Sequence, residues 1–483
     1  MFGSEGWLSQ LIPDRPIFFV VYWANFLLAL GFAFSEIGRS RTSQGSIAWI
    51  LSLLLLPFPT TLLYMIFGLK LFDGYASLQT HTGRELRRAR AGKASILDLP
   101  TSAEWPVLTN VSQLPFLVGN EAELLIDGKQ TFDSIFEGIS RARSSILVQF
   151  YIIHDDNVGR EFADRLMERA RAGVSIYLLY DDVGCFWLPR AYKDRLRAAG
   201  IRVAGFNHRH RILRILGPTR INYRNHRKVM VVDGKEAWVG GINVGDEYMG
   251  RSRRFGPWRD THVRVAGPAA LAAAVVFRED WQWATGELLT PDIPSPIKVE
   301  GEQSVLVMPT GPADKLEDCA IAFAEVISRA EKRLWIVSPY FVPDVDMQTA
   351  LYAAAMRGVD VRVLVPEKPD HRLVWLSSIA HASRMIDHGV QIYRYTAGFL
   401  HEKVILVDDK IAGVGTVNFD NRSFRINFEI TLWFTHQKMI EDVEAMLEKD
   451  FSRGRQLTAE ERAKQPYAMR VVAEAARLFS PIL

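Results

Sequence analysis

The sequence contains very little cysteine. Cys185 and Cys319 are the only two in 483 residues, they lie far apart, and neither has a second cysteine or a histidine at a metal-ligand spacing. Disulfide frameworks and structural zinc sites both require such partners, so neither is indicated. A reducing compartment fits this composition best.

A strong net charge is also lacking. The formal charge is +3 at pH 7, which is too small to indicate a nucleic-acid binder without a local cluster. One basic stretch, interleaved with apolar residues, precedes the first motif described below. We expect it either to seat anionic lipid headgroups or to form a solvated basic loop. Its basic residues are His208, Arg209, His210, Arg211, Arg214, Arg220 and Arg224.

Two long uncharged runs lie near the N-terminus. The first, at positions 17–34, approaches the roughly 20 residues that a membrane-spanning helix requires. The second, at positions 47–69, is equally uncharged, and Pro57 and Pro59 predict a kink within this span. We therefore expect a transmembrane helical hairpin over residues 1–75.

The charges around these runs bear on their topology. A secretory signal is the alternative for the first run, but Glu5 and Asp14 precede it and no small-residue cleavage site follows. Basic residues are sparse between the runs, at Arg39 and Arg41, and more numerous after the second run. This positive-inside bias predicts that the rest of the chain lies in the cytoplasm. The later basic residues are Lys70, Arg84, Arg87, Arg88, Arg90 and Lys93.

The remainder of the chain contains one strand–helix–strand pattern twice. In each copy a buried-strand run is followed by an amphipathic helix, a glycine and a second strand. This internal duplication predicts an α/β fold with right-handed crossovers. The first copy comprises residues 145–153, 157–172, Gly173 and 174–180, and the second comprises 334–342, 345–357, Gly358 and 359–365. We place a linker at residues 76–120, irregular from 92 to 115, the first repeat at 121–295 and the second at 296–483.

Each repeat carries one histidine–lysine–aspartate motif. The first is His226-x-Lys228-x4-Asp233 and the second is His401-x-Lys403-x4-Asp408. On a strand the histidine and lysine share one face, so imidazole and ammonium can converge on a phosphate. The same pattern packs Val229, Val231, Val404 and Leu406 on the opposite face. An asparagine follows each motif after a small-residue turn, at Asn243 and Asn418.

These paired motifs resemble the two HxKxxxxD motifs of the phospholipase D superfamily, whose halves form a single site at their interface. The resemblance covers roughly residue 121 to the C-terminus. With the two N-terminal runs, the strings RINYRNHRKVMVVDG, PWRDTHVRVAGP, SPYFVPD and GTVNFDNRSFRINFEITL are similar to bacterial cardiolipin synthases. Asp409 departs from the usual glycine after the motif, and we expect its turn to accept an aspartate in the left-handed conformation.

The resemblance implies two duplicated phospholipase D-like mixed-sheet domains packed together behind a two-helix anchor. It implies a multi-pass protein of the bacterial inner membrane that converts two phosphatidylglycerol molecules to cardiolipin and glycerol. No metal, organic cofactor or nucleic acid is expected, and a homo-oligomer is left open. A phospholipase D hydrolase or another phosphatidyltransferase is the first alternative. A nucleic-acid phosphodiesterase and an inactive membrane scaffold are disfavoured, because the anchor faces lipid and both motifs are intact.

Residue roles follow from the same resemblance. One imidazole attacks phosphorus and the other donates a proton to the leaving glycerol, with His226 expected as nucleophile and His401 as acid and base. Near symmetry leaves the reverse assignment open. The expected catalytic residues are His226, Lys228, Asp233, His401, Lys403 and Asp408, with Asn243 and Asn418 binding phosphate oxygens. Asp233 and Asp408 lie well beyond each lysine, so we expect them to pin turns.

Each imidazole also needs a carboxylate on its second nitrogen, which fixes the tautomer and supports the cation. Asp260 and Glu429 are the candidates, because they follow the motif histidine of their own half at comparable intervals along the chain. The C-terminal stretch, residues 467–483, predicts an apolar-rich helix that packs on the domain or lies in the bilayer interface.

Overall fold

The computed structural model describes residues 15–39, 43–68, 75, 101–102, 104–207, 222–289 and 301–483. It forms two compact units, one of residues 1–71 with 210–222 and one of residues 72–209 with 223–483. Most of the predicted basic stretch, residues 208–221, lies outside the described residues. So does most of the predicted linker, over residues 76–100.

The described part of the first unit consists of three helices. They are α1 Arg15–Arg39, α2 Ser43–Leu55 and α3 Pro57–Phe67. Only α1, among the described helices, is long and apolar enough to cross a membrane, over the 23 residues Pro16–Gly38. The second predicted span is divided at Leu56, which is not helical, and Pro57 begins α3. Proline lacks an N–H and disfavours helical geometry in the preceding residue, which explains the break.

The helices of this unit pack on a small apolar cluster. Ala29 and Ala33 of α1 meet Leu53 of α2 and Tyr64 of α3, all buried. The Tyr64 hydroxyl donates a hydrogen bond of 2.6 Å to Glu36. A carboxylate inside an otherwise apolar helix therefore has a partner.

The second unit contains a strand-rich first half and a matching second half. The strands are β1 Thr101–Ser102, β2 Phe116–Ile126, β3 Ser145–Phe150, β4 Ser175–Tyr180, β5 Arg202–Gly205, β6 Val229–Val232, β7 Glu236–Gly240, β8 Trp258–Arg259, β9 Thr261–Ala266, β10 Gln303–Thr310, β11 Arg333–Val337, β12 Phe341–Val342, β13 Asp360–Pro366, β14 Gln391–Tyr395, β15 Phe399–Leu400, β16 Val404–Val407, β17 Ile411–Gly415, β18 Phe419–Asp420, β19 Glu429–Phe434 and β20 Gly454–Gln456.

Helices cover both halves. They are α4 Pro106–Ser112, α5 Asp127–Arg141, α6 Asn157–Arg171, α7 Arg190–Ala198, α8 Pro268–Thr285, α9 Asp318–Ser328, α10 Val345–Met356, α11 Arg372–Ile386, α12 Asn421–Arg425, α13 Gln437–Ser452, α14 Ala459–Ala463 and α15 Tyr467–Arg477. The 3-10 turns are Asp246–Met249 and Ser480–Ile482.

One mixed sheet joins the two halves. The first half contributes β2, β9, β7, β6, β3, β4 and β5 in spatial order, and the second contributes β10, β19, β17, β16, β11, β13 and β14 in the same order. The halves meet where β2 pairs antiparallel with β10. Parallel pairing within this sheet is confined to the outer strands of each half, such as β3 with β4 and β11 with β13. The predicted duplicated mixed-sheet fold is confirmed.

The duplicated unit is built by the same local signals in each half. Asp156 caps α6 by accepting from the Gly159 N–H, and Asp344 caps α10 by accepting from the Met347 N–H. Gly173 follows α6 with φ +90° and Gly358 follows α10 with φ +87°. Because non-glycine residues are strained at such angles, glycine ends both helices.

Two local expectations were wrong. The stretch 92–115 is not irregular throughout, because α4 begins at Pro106, where a missing N–H costs nothing. The motif histidines and lysines do not lie within strands but immediately before β6 and β16. The predicted packing face is confirmed, since Val229, Val231, Val404 and Leu406 belong to one buried cluster shared by both halves.

Candidate active site

The backbone of each motif is bound to the opposite half of the chain. The His226 N–H donates to the Phe428 carbonyl at 2.9 Å, and the Phe428 N–H donates to the Arg224 carbonyl at 2.8 Å. In the second motif, the His401 N–H donates to the Arg259 carbonyl at 2.8 Å. Phe428 and Arg259 immediately precede the two candidate carboxylates, so these bonds bring each carboxylate to the other half's histidine.

The histidine–carboxylate pairs cross between the repeats. His226 Nδ1 lies 3.0 and 2.9 Å from the two carboxylate oxygens of Glu429. His401 Nδ1 lies 2.7 Å from Asp260 Oδ2. The sequence identified both carboxylates, but their order along the chain did not reveal that each serves the histidine of the other half. Neither repeat therefore holds a complete pair.

The two carboxylates are held differently. Glu429 accepts from the Thr416 hydroxyl at 2.5 Å and from the Asn427 amide at 3.1 Å, in addition to His226. The first repeat has Gly241 at the position that corresponds to Thr416, since both follow their motif histidine by the same interval. A Cβ on Gly241 would lie 2.0 Å from Asp260 Oδ1. The shorter aspartate thus lies against bare backbone, whereas the longer glutamate is anchored by a hydroxyl.

Both imidazoles are buried, which favours their neutral forms in the absence of substrate. Burial lowers the pKa of His226 to about 4, against the opposing effect of Glu429. Burial and the adjacent Lys403 lower the pKa of His401. Each neutral ring holds its Nδ1 proton toward a carboxylate, which leaves Nε2 with a lone pair. A ring in this state can attack phosphorus or accept a proton.

The carboxylates remain ionised beside these rings. Burial alone would raise the pKa of Glu429, but His226 and Lys228 hold it below its usual value. Burial would also raise the pKa of Asp260, but Lys403 and His401 outweigh this effect and lower it. Each carboxylate can therefore stabilise an imidazolium when its histidine gains a proton.

The two lysines bring positive charge to the same place. Lys228 Nζ donates to the His226 carbonyl at 2.6 Å, whereas Lys403 Nζ donates to the His401 carbonyl and lies 2.9 Å from His401 Nδ1. Burial lowers the pKa of Lys403 to about 8 and that of Lys228 well below its usual range. Lys228 also lowers the pKa of His401, and Lys403 that of His226, so the motifs act on one another. Such a cationic site suits an anionic phosphodiester.

Asp233 and Asp408 serve turns at the far ends of the motif strands. Asp233 accepts from the backbone N–H groups of residues 143, 144 and 145, and Asp408 accepts from those of residues 331, 332 and 333. Both adopt positive φ, of 53° and 51°. Both residues thus pin the turns that their positions predicted, and a catalytic role for either stays a prediction. The expectation for Asp409 was wrong, because the left-handed residue of that turn is Asp408.

The two asparagines differ in how they are engaged. Asn243 accepts from the Ile152 N–H at 3.2 Å and donates to the Tyr248 hydroxyl at 3.2 Å. Asn418 is buried, and its Oδ1 has no hydrogen-bond partner among the described residues. Phosphate binding by both residues stays a prediction.

Two aromatic rings pack on the histidines. Tyr151 meets His226 edge to face with ring centroids 4.9 Å apart, and Lys228 Nζ lies 5.3 Å from the Tyr151 ring. The ring centroids of Trp258 and His401 lie 5.1 Å apart, and the Trp258 indole N–H donates to Asp260 at 3.4 Å. Sequence reasoning missed Trp258, although it lies two residues before Asp260 in WRD.

Sequence reasoning also missed a role for Arg227, the residue between the histidine and the lysine of the first motif. Arg227 is fully buried and binds both oxygens of Asp280, at 2.7 and 2.8 Å. It also donates to the Glu429 carbonyl at 2.9 Å. The Tyr75 hydroxyl completes this group, donating to Asp280 at 2.5 Å. The Tyr75 ring packs 4.8 Å from Phe428, whose carbonyl accepts from His226.

The second motif has the opposite charge at this position. Glu402 is fully buried and lies 2.7 Å from the Arg259 guanidinium, which also binds Asp450 at 2.6 and 2.8 Å and Asp127 at 3.2 Å. The Thr261 hydroxyl donates to Glu402 as well. Both middle residues thus form buried ion pairs at the seam between the repeats. In the described part of the chain, no group of three or more His, Cys, Asp or Glu side chains could hold a metal ion.

A duplicated mixed sheet with two histidine–carboxylate pairs at its seam defines a phospholipase D-type enzyme. The fold is similar to the crystal structure of phosphatidylserine synthase from Haemophilus influenzae Rd KW20, with a TM-score of 0.59 and 16% sequence identity. That match covers 78% of this chain and 99% of the other. At this identity the likeness shows the fold alone.

Sequence comparison narrows the class. The family described as "Cardiolipin synthase, PLD-like domain" matches residues 135–254 and 323–451. Cardiolipin synthase A of Pseudomonas syringae pv. syringae (strain B728a) is 42% identical over 95% of this chain and 96% of its own length. Cardiolipin synthase A of Pseudomonas fluorescens (strain SBW25) is 43% identical over 92% and 94%. This chain belongs to the cardiolipin synthase family of phosphatidyltransferases, membrane-associated enzymes that act on phospholipid.

Proposed function

We propose that the protein joins two phosphatidylglycerol molecules into cardiolipin and releases glycerol. His226 Nε2 attacks the donor phosphorus, and the bond from phosphorus to the terminal glycerol oxygen breaks. His401 takes up a proton on Nε2 when the anionic phosphodiester binds, with Asp260 stabilising the imidazolium, and it gives that proton to the departing oxygen. The product of this step is a phosphatidyl-histidine. The terminal hydroxyl of the second phosphatidylglycerol then gives its proton to His401, and its oxygen displaces His226 from phosphorus.

The crossed histidine–carboxylate pairs carry this proposal. They provide two equivalent imidazoles, each with Nδ1 bound to an ionised carboxylate and Nε2 available. Lys228 and Lys403 neutralise the nonbridging oxygens, with Asn243 and Asn418 as further donors. Loss of one such preorganised donor typically costs about 3 to 4 kcal/mol of barrier.

The location of the reaction belongs to the same proposal. Both N-terminal apolar stretches cross the bacterial inner membrane, and the positive-inside bias places the catalytic unit on the cytoplasmic side. The substrate is then phosphatidylglycerol in the adjoining leaflet rather than nucleic acid. The apolar length of α1 supports the first span.

The test is to incubate the purified full chain with phosphatidylglycerol vesicles and identify the lipid products by mass spectrometry. We expect cardiolipin and glycerol from the wild type and none from His226→Ala or His401→Ala. His388→Ala, an exposed histidine, is the matched control. Phosphatidic acid as the sole product would instead identify a hydrolase.

The nucleophile can be identified separately. The His401→Ala enzyme lacks the acid and base, so the acceptor alcohol should displace His226 from phosphorus slowly. A phosphatidyl adduct should therefore accumulate on His226. Intact-mass and peptide mapping of the quenched enzyme would detect it. An adduct on His401 in the His226→Ala enzyme would reverse the assignment.

A further inference from the structure

Two aromatic side chains project from the catalytic unit into solvent. Phe186 is 66% exposed and Trp187 is 84% exposed, in the loop between β4 and α7. Their rings pack edge to face at 4.9 Å. Exposed apolar groups of this size that cluster together mark interaction sites on soluble domains.

This loop is well fixed and adjoins the active site. Asp181 accepts from the backbone N–H groups of Val183 and Gly184 at 2.9 Å. Cys185 is buried and its thiol lies 3.4 Å from the carbonyl of Tyr151, the residue whose ring packs on His226. The aromatic pair therefore extends from a rigid base beside the first motif.

Trp187 also borders an open cavity. The cavity has a volume of about 440 Å³, and its lining includes His154 and three carboxylates, those of Asp155, Asp156 and Glu247. His154 and Glu247 lie 3.5 Å apart. The aromatic pair thus borders this cavity and, through Cys185, lies beside Tyr151, whose ring packs on His226.

The second half contributes an apolar patch of its own near the site. Leu478, Phe479 and Ile482 are 73%, 50% and 44% exposed at the end of the chain. The Arg422 backbone N–H donates to the Leu483 carbonyl at 2.8 Å, and its guanidinium donates to the Ile482 carbonyl at 3.3 Å. Arg422 belongs to α12, which begins shortly after Asn418.

The helix before this patch packs on the domain, and its position in the bilayer interface stays a prediction. Ala473 and Ala476 of α15 are buried, and Ala473 packs against Ile379 and Ala380 of α11, which confirms the packing alternative. Tyr467 on the same helix remains 75% exposed. One face of α15 therefore packs on the domain, while apolar residues on its other faces remain exposed to solvent.

Positive charges accompany both patches. Arg190 and Lys193 follow the aromatic pair in α7, and Arg470 and Arg477 precede the C-terminal patch in α15. Aromatic and apolar residues beside Lys and Arg are typical of surfaces at the bilayer interface, where apolar groups enter and basic groups meet anionic headgroups.

We infer that the catalytic unit itself binds the surface of an anionic phospholipid bilayer through the docking rim, defined as Phe186, Trp187, Leu478, Phe479 and Ile482. The rim consists of one patch from each half: the first lies beside Tyr151, and the second is bound to Arg422 of α12. It brings phosphodiester groups to His226 and His401 without removal of the acyl chains from the interface. This inference rests on the proposed reaction with phospholipid and adds where the substrate enters.

The test compares bilayer and monomeric substrate for the full chain in nanodiscs. One arm uses long-chain phosphatidylglycerol within the disc, and the other uses zwitterionic discs with dilute short-chain phosphatidylglycerol in solution. We expect F186S/W187S and L478S/F479S each to lose about tenfold or more of cardiolipin formation from the bilayer substrate, since each removes two large apolar contacts. Activity on the monomeric substrate should fall far less.

The matched control is V345S/M356S, which removes two residues of α10 that are 74% and 73% exposed. It should leave both activities near wild type. Equal losses on both substrates in the rim variants would assign the rim to the structure of the site and overturn the inference. Rim variants with the same activity as the control would also overturn the inference. A loss of activity that accompanies dissociation of a dimer, measured by size-exclusion chromatography, would overturn it as well.

A label reports contact directly. Bimane attached to W187C should be quenched by spin-labelled lipid in the disc, and bimane on M356C should not. Equal quenching at both positions would also overturn the inference. If the wild type makes no cardiolipin from either substrate, the proposed function fails, a result that the label experiment distinguishes from failure of the docking rim.

Discussion

The two motifs present the same reacting side chains from different surroundings. His226 depends on a glutamate held by a threonine hydroxyl, whereas His401 depends on an aspartate packed against Gly241. The shorter side chain of Asp260 is held by close contact with the Gly241 backbone. The longer side chain of Glu429 is held by a hydrogen bond from the Thr416 hydroxyl. The comparison teaches that each half has its own support for an otherwise equivalent imidazole.

The residue between histidine and lysine extends this contrast. Arg227 in the first motif and Glu402 in the second are both fully buried, with opposite charges. Arg227 reaches the Glu429 carbonyl across the seam, and Glu402 reaches Arg259 across it in the other direction. Both positions connect the halves, but only Glu402 finds its counter-charge, Arg259, in the other half, whereas Arg227 finds Asp280 in its own half.

The largest effect should come from neutralising the orienting carboxylates. Glu429→Gln and Asp260→Asn keep the size of each side chain but remove the charge that stabilises an imidazolium and fixes its tautomer. We expect turnover to fall roughly 10³- to 10⁴-fold in each. Steady-state cardiolipin formation measures it, with thermal melting as the check on folding. Wild-type turnover in either variant would mean that its histidine works without its carboxylate.

The next effect sharpens the contrast between Gly241 and Thr416. Gly241→Ala places a methyl group where Asp260 now lies, and a displacement of about 1 Å should cost roughly 100-fold in turnover. Thr416→Ala removes one hydrogen bond to a carboxylate, which is worth about 1.5 to 3 kcal/mol, and should cost at least tenfold. The measurement is kcat on phosphatidylglycerol. A larger loss in Thr416→Ala than in Gly241→Ala would contradict the packing argument.

A third experiment compares the two buried ion pairs by stability. Arg227→Met leaves Asp280 without its cation and should destabilise the fold by about 3 to 5 kcal/mol. Glu402→Gln should cost much less, because Arg259 keeps the carboxylates of Asp450 and Asp127. Melting temperatures in detergent rank the two variants. Equal losses would show that Glu402 is an essential anion.

The pH profile separates the motifs further. Burial lowers the pKa of Lys403 to about 8, and only its charged form stabilises a phosphate. The acid His401 loses its proton at lower pH, because burial and Lys403 lower its pKa, so kcat/KM should decline further as pH rises through about 8. His226, with a pKa of about 4, stays neutral until pH approaches that value, so it should cause no loss at mildly acidic pH. Initial rates from pH 5 to 10 test this, with melting followed in parallel. A profile flat to pH 10 would exclude Lys403 as the titrating donor.

The smallest effect should come from Tyr75, which supports only the first motif. Tyr75→Phe keeps the ring on Phe428 but removes the hydrogen bond to Asp280, a loss of about 1 to 3 kcal/mol for a charged acceptor. Tyr75→Ala removes both contacts and should lower stability and turnover further. Melting and turnover measured together on the full chain check the ranking. If both variants match the wild type, the segment that carries Tyr75 does not support the site.

Much of the site was predictable because its residues recur. The duplicated histidines and lysines, the two strand–helix–strand units and the glycines that end their helices all follow from local patterns. Asp260 and Glu429 were identified as orienting acids, but their crossing was not, because sequence order favours neither partner. Trp258, Thr416 and Tyr75 were missed. Trp258 and Thr416 lie two residues before Asp260 and Asn418, but their contacts with the carboxylates appear only in the folded chain.

The sequence by itself determined the repeated elements, the pair of motifs and the apolar N-terminal runs, because strand alternation, helix ends and span length act over a few residues. Only the tertiary structure decided which acid serves which histidine and where Arg227 and Glu402 find counter-charges. Those choices depend on β2 pairing with β10 and on backbone bonds between segments far apart in the chain, such as that from His401 to Arg259. Contacts between residues so far apart in the sequence arise from the packing of the two halves, and no local sequence pattern predicts them.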